Sequence, residues 1–452
     1  MTQDRSHRPP TALLAATAVT LPGAVLGALS YLGTTTGLPP YLLAVVFGTA
    51  IIGAAFLLSW GAEAVQVDVS AGLALAVLAF VAVLPEYAVD FVFTFEAGRT
   101  FAAEGQCVPP GAADGSNPCS LALANMTGAN RVLVGVGWPL LVLVAAWSAS
   151  RHRQAAEHAA SVPAPGRVEL KPTMSAEVVF LGIATLYSLT LPLRTSLTLI
   201  DAAVLVLVFV LYAWRLAQAP AEDPDLIGTS SWIAGHDRRP RRLWVGALFA
   251  AAGLVILLTA EHFADALVET GTSLGVDQFV LVQWLAPLAS ESPELIVACL
   301  YAWRLKASDS LGTLLSSKVN QWTLLVGTIP IVFAASSTSL HGLPLDTQQR
   351  LELLLTAAQS LFAVSLLVTL RLTWRGAATL LVLFAVQFFA SVALSTEVDR
   401  LVIVGLSGLY GVLALGLFIR HGARTGQLVK DGTVTPFHRL AEEDEEEEQA
   451  VR

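Results

Sequence analysis

Apolar residues are gathered into runs that are long enough to cross a bilayer, and polar residues are concentrated between those runs. A transmembrane helix needs about 20 predominantly apolar residues, because each residue adds about 1.5 Å of length. Inside a bilayer the backbone must satisfy its own hydrogen bonds, so the pattern predicts an all-α polytopic membrane protein. The twelve predicted spans are residues 12–32, 41–61, 71–97, 120–147, 176–193, 198–217, 243–262, 276–303, 309–335, 350–370, 376–395 and 401–420.

Composition and charge agree with this interpretation. Of the 452 residues, 55% are hydrophobic and 13% are charged, and the mean hydropathy is +0.66, which excludes an ordinary soluble protein. Lys and Arg concentrate in alternate loops, most densely at Arg238–Arg242. The positive-inside rule places those loops in the cytoplasm. We therefore expect a multi-pass protein of the plasma (inner) membrane with both termini cytoplasmic.

Segments rich in Pro, Gly and charged residues divide the chain. The segment at 221–242 is the natural divide between the halves, each with six predicted helices. The net charge of −9 owes much to the acidic run Glu442–Glu448, and such runs are typically solvated and disordered. We expect a cytoplasmic N-terminus with an extra helix (1–40), a first repeat (41–220), a basic cytoplasmic linker (221–242), a second repeat (243–395), an extra helix (396–420) and an acidic disordered cytoplasmic tail (421–452).

A Pro-Glu pair stands inside an apolar segment in each half of the chain. The pairs lie in LPEYAVD at Leu84–Asp90 and in SESPELIVA at Ser290–Ala298. A charged carboxylate at the bilayer centre costs about 2.5–3.5 kcal/mol or more, so such acids are usually functional. The neighbouring proline removes a backbone donor and exposes carbonyl oxygens. The pattern predicts a cation site near the midplane around Glu86 and Glu294, with two buried, protonated acids as the alternative.

Other oxygen-bearing residues surround these two acids. Asp90 follows Glu86 by one helical turn, and Glu291 precedes Glu294 by three residues, so each pair shares a helix face. Hard cations prefer carboxylate, amide, hydroxyl and carbonyl oxygens. The candidate metal ligands are Glu86, Glu294, Asp90, Glu291, Asn125, Thr127, Asn130, Ser290, Ser317 and Asn320. For Asp90 and Glu291 the alternative is an aqueous vestibule, and for the hydroxyl residues it is a bond to their own backbone.

Lys318 is the one lysine in the middle of a predicted span next to these candidates. A lysine inside a bilayer either pairs with a carboxylate or gives up its proton. Beside Glu86 or Glu294, its ammonium group would occupy the place of a bound monovalent cation. It is therefore a candidate for coupling, and the alternative is a static ion pair that braces the helices.

Three cysteines occur in the chain. Cys107 and Cys119 fall in a Gly/Pro-rich loop that the predicted topology places outside, where disulfides form. A local disulfide is the expectation, and two unpaired thiols are the alternative. Cys299 lies within a predicted helix, where ordinary packing is expected.

The two Pro-Glu helices and the helices that follow them resemble the α-repeats of the sodium/calcium exchanger family, a branch of the calcium:cation antiporter superfamily. That family's motifs read GTSLPEL and GNxxGSN. Here Leu84–Glu86 and Ser292–Leu295 match the first motif, and Ala124–Asn130 follows the second. The resemblance implies a ten-helix inverted-repeat core, with one extra helix at each end in this chain. It also implies that Glu86 and Glu294 are the central carboxylates.

Two departures from the family pattern bear on the coupling ion. Ala82-Val83 stands where the family has a Thr-Ser pair that binds sodium, and Lys318 stands where it usually has asparagine. The expected function is a secondary antiporter that extrudes Ca²⁺ in exchange for Na⁺ or H⁺ by alternating access. The alternatives are a monovalent cation (Na⁺ or K⁺)/H⁺ antiporter and a non-transporting membrane sensor or scaffold. No catalytic or phosphate-binding motif is apparent, so no enzyme activity, cofactor or nucleic-acid partner is expected. The expected partners are inorganic cations and the lipid bilayer.

Overall fold

The computed structural model describes residues 9–34, 37–68, 84–107, 118–155, 166–219, 226, 228–275 and 278–442, and helices account for most of them. The helices of the first half are α1 (Thr11–Tyr31), α2 (Pro40–Val65), α3 (Leu84–Glu104), α4 (Pro118–Val132), α5 (Trp138–Ala155), α6 (Ser175–Ser188) and α7 (Leu199–Leu216). Those of the second half are α8 (Thr229–Ala234), α9 (Arg238–Leu274), α10 (Gln278–Trp303), α11 (Ala307–Asn320), α12 (Val326–Ser337), α13 (Thr347–Leu366), α14 (Trp374–Ala393), α15 (Thr396–Arg420) and α16 (Gly422–Thr433).

The prediction of an all-α polytopic membrane protein is confirmed. Within the described ranges, nine helical stretches are long and apolar enough to cross a membrane: Thr11–Tyr31, Pro40–Val65, Pro118–His152, Pro172–Leu193, Leu199–Leu216, Arg238–Gly271, Ala307–Ser337, Trp374–Ala393 and Thr396–Arg420. Helices α3, α10 and α13 coincide with the three remaining predicted spans, and each carries acidic or amide side chains that lower its hydropathy. Residues 69–83, which include Ala82-Val83 and the first part of the span predicted at 71–97, lie outside the described ranges.

The two halves correspond element by element. Helices α4 and α5 are joined by a π-helical turn at Leu133–Gly137, and α11 and α12 by another at Gln321–Leu325. Strands also pair across the halves: β1 (Arg167–Glu169) with β4 (Arg371–Thr373), and β2 (Ser196–Leu197) with β3 (Leu343–Pro344), both antiparallel. Along the chain, β1 precedes α6, β2 precedes α7, β3 precedes α13 and β4 precedes α14. These four short strands were not predicted, because two or three residues carry no readable alternation.

Helix ends follow local sequence signals where the sequence supplies them. Helix α13 begins at a capping box in which Asp346 Oδ1 accepts from the Gln349 backbone N–H at 2.8 Å and Gln349 Oε1 accepts from the Asp346 backbone N–H at 2.7 Å. Helix α7 begins at the equivalent pair Thr198 and Asp201. Such boxes satisfy amide groups that the first helical turn leaves unpaired. They fix where α7 and α13 start.

Several predicted boundaries are wrong. Helix α9 begins within the predicted linker, at Arg238, and continues to Leu274 rather than ending at 262. The early start brings the basic residues into the first turns of α9, where Arg241 donates to Asp68 at 2.6 and 3.0 Å. The linker also contains α8. Helix α6 ends at Ser188 instead of 193, and a 3-10 turn at Leu191–Leu193 follows.

The expectation of a disordered tail is wrong for residues 421–442. Helix α16 packs against α6, and Arg215 of α7 donates to the backbone carbonyls of Asp431 (3.0 Å), Gly432 (3.1 Å) and Thr435. Two apolar side chains after the helix, Phe437 and Leu440, are buried. The acidic run dominated the prediction, but it begins only at Glu442, and residues 443–452 lie outside the described ranges.

The disulfide prediction is confirmed. Cys107 and Cys119 are bonded, with their Cα atoms 5.7 Å apart. Cys119 is fully buried in the first turn of α4. The bond therefore ties the end of α3 to the start of α4, the two helices that carry the candidate residues of the first half. Cys299 is a free thiol.

Candidate functional site

The candidate site is built by α3 and α4 from the first half and by α10 and α11 from the second. Loosened helices were expected beside the prolines, but α10 continues through Pro293. The irregular backbone lies instead in the two π turns, which begin directly after α4 and directly after α11. A π turn inserts an extra residue into a helix and is frequent at functional sites.

Close backbone approach between the halves is allowed by glycine. A Cβ on Gly128 of α4 would lie 1.7 Å from the carbonyl oxygen of Gln283 on α10, far inside van der Waals contact. Gly128 belongs to the ANMTGAN segment that the sequence analysis singled out. Its small size lets α4 lie directly against α10, which brings the polar side chains of the two helices into one layer.

In the first half, Asp90 and Asn125 are brought together. The Asn125 amide donates to Asp90 Oδ1 at 2.7 Å. Glu86, one turn earlier on α3, is 1% exposed and Asp90 is 3% exposed. A cavity of about 680 Å³ does lie further along α3, lined by Glu96, Arg99, Glu261 and Asp265 among others.

In the second half, Glu294 and Ser317 form the matching pair. The Ser317 hydroxyl donates to Glu294 Oε2 at 2.6 Å. Glu291 is fully buried and accepts from the Gln321 amide in the second π turn. Gln321 was not among the candidate ligands that the sequence indicated.

The two halves meet at Glu291 and Lys318. Glu291 lies close enough to Glu86, Glu294 and Lys318 for their charges to interact directly. Lys318 is fully buried, and its ammonium group donates to the backbone carbonyl of Asn130 at 2.5 Å. Asn130 stands three residues before the first π turn, and Lys318 stands three residues before the second. The lysine therefore occupies the position in one repeat that asparagine occupies in the other.

Not every candidate side chain is turned toward a neighbouring helix. Thr127 donates to the carbonyl of Leu123 at 2.9 Å, and the Asn130 amide donates to Met126 at 3.0 Å, both on their own helix. Asn320 is fully buried directly before the second π turn. The side chain of Ser290 lies outside what the structure describes.

Several buried oxygens in this layer accept no hydrogen bond from any described residue. They are Asp90 Oδ2, Asn125 Oδ1, Asn130 Oδ1, Glu291 Oε2, Glu294 Oε1 and Gln321 Oε1. Burying an oxygen acceptor without a partner is costly, and carboxylate and amide oxygens are the ligands that hard cations prefer. Among the described residues, no group of three or more His, Cys, Asp or Glu side chains is arranged so that it could hold a metal ion. The donor set thus suits a cation held mainly by scattered oxygens from both repeats.

A second buried charge cluster lies beside the site and was missed by the sequence analysis. Arg131 of α4 pairs with Glu352 of α13 at 2.6 Å, and both are almost fully buried. The Arg131 guanidinium also lies 4.9 Å from the ring centroid of Trp284 on α10. The signal was present, because an arginine and a glutamate inside predicted spans each require a partner.

Comparison with known proteins places the chain in a family. The family model described as sodium/calcium exchanger protein matches residues 39–217 and 244–419. A crystal structure of the H⁺/Ca²⁺ exchanger CAX is 38% identical, with a TM-score of 0.80 over 95% of this chain and 98% of that chain. The Ca²⁺/H⁺ antiporter YfkE is 15% identical, with a TM-score of 0.56 over 83% of this chain and 98% of that one, and shares the fold. Among curated protein sequences, none matches significantly. The chain belongs to the sodium/calcium exchanger family, whose members are membrane antiporters for inorganic cations.

Proposed function

We propose that this protein is a plasma-membrane antiporter that extrudes Ca²⁺ in exchange for H⁺, with both termini in the cytoplasm. The observation that carries the proposal is the meeting of Glu86, Glu294 and Lys318 around Glu291, in one layer built by both repeats. The transported cations are the only ligands that this function requires. Glu86 and Glu294 would be the central carboxylates that both ions use.

Charge balance explains why calcium and protons would compete. With Glu86, Asp90, Glu291 and Glu294 ionised and Lys318 charged, the layer would carry three net negative charges (four minus one). Such a charge is expensive at the centre of a bilayer. Protons neutralise the carboxylates when no metal is bound, and Ca²⁺ must displace protons to gain its ligands. Alternating exposure of the site to the two faces then exchanges the ions.

Lys318 favours H⁺ over Na⁺ as the counter-ion. A lysine ammonium already fills the neighbourhood of Glu291 and bonds the Asn130 carbonyl, where a monovalent cation would otherwise find its oxygen ligands. Similarity to a protein described as an H⁺/Ca²⁺ exchanger supports the same counter-ion. A proton needs no shell of oxygen ligands, so the loss of neutral ligands beside Lys318 does not weaken proton binding.

A monovalent cation/H⁺ antiporter is the second candidate, and Lys318 is again the observation that favours it. A fixed positive charge beside Glu291 weakens the attraction of the site for a divalent ion more than for a monovalent one. Under this alternative Ca²⁺ is not transported.

The test is ion flux in proteoliposomes that contain the purified protein. Ca²⁺ uptake and luminal pH are followed together under an H⁺ gradient and, separately, under a Na⁺ gradient, with Glu86→Gln and Glu294→Gln as matched variants. The proposal predicts Ca²⁺ uptake under the H⁺ gradient and its loss in both variants. Proton flux on addition of Na⁺ or K⁺ without Ca²⁺ movement would establish the monovalent exchanger instead.

A further inference from the structure

Glu177 is a buried acid that the candidate site does not use. It lies in the first turn of α6 and is 7% exposed. Its Oε2 atom accepts no hydrogen bond from any described residue. A solvated helix-start acid would stabilise α6 through the helix dipole alone. Burial makes the ionised form of this acid unfavourable, so the side chain is poorly suited to stabilising a helix start.

Two helices, α7 and α11, connect Glu177 to the cation site. Its charge acts on Tyr212 of α7, which is 1% exposed and donates from its hydroxyl to Ser316 Oγ of α11 at 3.2 Å. The residue after Ser316 is Ser317, which donates to Glu294. The route from Glu177 therefore ends at Glu294, a proposed central carboxylate.

The remaining charged groups on the elements that pack against α6 are engaged elsewhere or exposed. Arg215 donates to carbonyls of α16, Lys171 pairs with Asp309, and Asp431 accepts from Gln427 and Thr435. Glu352 pairs with Arg131, Asp201 pairs with Arg194, Lys318 donates to Asn130 and Arg350 donates to the carbonyl of Pro192. Arg424 and Lys430 are exposed. None of these contacts reaches Glu177. Its protonation state is therefore free to follow the pH at this end of the bundle, which the predicted topology places in the cytoplasm.

We propose that Glu177 is a second protonation site, which links the pH at the α6 end of the bundle to the cation site through Tyr212 and Ser316. This inference rests on the proposed H⁺ exchange. When Glu177 is ionised, its negative charge attracts the Tyr212 hydroxyl proton and weakens the bond to Ser316. When Glu177 takes up one proton from water, that attraction ends and Tyr212 holds Ser316 on α11. Glu177 is thus a positioning residue, because it acts on α11 and not on the transported ion.

The test compares two modes of transport in proteoliposomes. H⁺-driven Ca²⁺ uptake is measured as a function of pH on the α6 side, and exchange of radioactive Ca²⁺ for unlabelled Ca²⁺ is measured without any pH gradient. Glu177→Gln keeps the size and helix-start position of the side chain but removes the titrating group. Tyr212→Phe removes only the hydroxyl that bonds Ser316. Glu169→Gln is the control, since Glu169 is a half-exposed acid paired with Arg167 and Arg371 on the β1–β4 sheet.

We expect Glu177→Gln to change the rate of H⁺-driven uptake roughly two- to thirtyfold, the range found for residues in coupling networks, and to flatten its dependence on pH. Tyr212→Phe should flatten it in the same way. Ca²⁺/Ca²⁺ exchange should be unchanged in both variants, and Glu169→Gln should match the wild type in every measurement.

The outcomes separate the inference from the proposed function. Wild-type protein that moves Ca²⁺ without protons overturns the proposed function and this inference together. Wild-type protein that exchanges Ca²⁺ for H⁺, with an unchanged pH profile in Glu177→Gln, overturns this inference alone. Equal loss of Ca²⁺/Ca²⁺ exchange and H⁺-driven uptake, in protein that still elutes as a single folded species, assigns Glu177 a structural role and also overturns it.

Discussion

The ammonium group of Lys318 donates a hydrogen bond to the backbone carbonyl of Asn130 at 2.5 Å, and the two residues hold equivalent positions before the two π turns. This bond crosses the boundary between the repeats at the level of the candidate site. It makes the site asymmetric, because one repeat contributes an amide where the other contributes a positive charge. The asymmetry separates this chain from the family pattern with asparagine in both places.

Replacing Lys318 with asparagine should strengthen Ca²⁺ binding. Removing one positive charge from the neighbourhood of Glu291 removes a repulsion that is worth about 2 kcal/mol or more for a divalent ion in a partly polarisable interior. We expect the apparent affinity for Ca²⁺, measured by calorimetry, to rise about tenfold or more in Lys318→Asn.

Lys430→Asn is the control for this change, because Lys430 is exposed on α16. It should leave the Ca²⁺ affinity as it is. An unchanged affinity in Lys318→Asn would show that the lysine charge does not act on the transported cation.

The sequence predicted those site features that a local pattern can encode. Glu86, Glu294 and Lys318 were found because a charge within an apolar run is conspicuous without any knowledge of its neighbours. The pairing of Arg131 with Glu352 was missed, because it joins helices from different halves and no local spacing encodes it. The π turns were missed as well, since Leu133–Gly137 and Gln321–Leu325 read as ordinary helical sequence.

Introducing a methyl group at Gly128 should separate α4 from α10. The added Cβ would overlap the Gln283 carbonyl, which is backbone and cannot rotate away. Overpacking of this kind typically costs about 1–3 kcal/mol. We expect Gly128→Ala to lower the apparent melting temperature in detergent and to reduce transport.

Gly253→Ala on α9 is the matched substitution, because no atom lies within 4 Å of its added Cβ. In a helix it should be neutral or stabilising by up to about 1 kcal/mol. If the two variants melted alike, the close approach at Gly128 would not be a constraint on this fold.

The docked tail was mispredicted for a physical reason that the structure makes plain. Residues 421–442 are polar enough to read as solvated, but their few apolar side chains, including Leu428, Phe437 and Leu440, are spaced to meet one surface. Arg215 completes the contact by donating to three backbone carbonyls near the end of α16. A sequence reading cannot foresee that a buried arginine will be satisfied by a distant backbone.

Two glycines on α16 provide a sharp test of tail docking. A Cβ on Gly432 would lie 2.6 Å from Val179 Cγ2 and 2.7 Å from the Ser175 carbonyl oxygen, whereas a Cβ on Gly426 would meet nothing within 4 Å. We expect Gly432→Ala to increase hydrogen exchange and proteolytic cleavage in residues 421–442. Gly426→Ala should leave both at the wild-type level, and equal protection in the two variants would count against the docked arrangement.

Asp68 should stabilise the fold at neutral pH but not in acid. Its hydrogen bonds from Arg241, together with the charges of Arg241, Arg242 and Arg238, outweigh burial and hold its pKa below the ordinary value. A lowered pKa in the folded state means that the stabilisation is complete above about pH 4, the unfolded value. It is lost as the pH falls through the lower, folded value.

We therefore expect Asp68→Asn to lower the melting temperature at pH 7, and the difference from wild type to shrink as the pH falls below about 4. Asp237→Asn is the control, since Asp237 is exposed beside the same basic residues. A difference between Asp68→Asn and wild type that did not depend on pH would mean that the arginine contacts do not favour the ionised carboxylate.

The most direct test of the central claim is the number of protons released when Ca²⁺ binds. Purified protein is titrated with Ca²⁺ by calorimetry in two buffers that differ in ionisation enthalpy, and Glu294→Gln is measured beside the wild type. If Ca²⁺ and H⁺ compete for the same buried carboxylates, the wild type releases protons on binding and the variant releases fewer or does not bind. Binding of Ca²⁺ with no proton release would contradict the account.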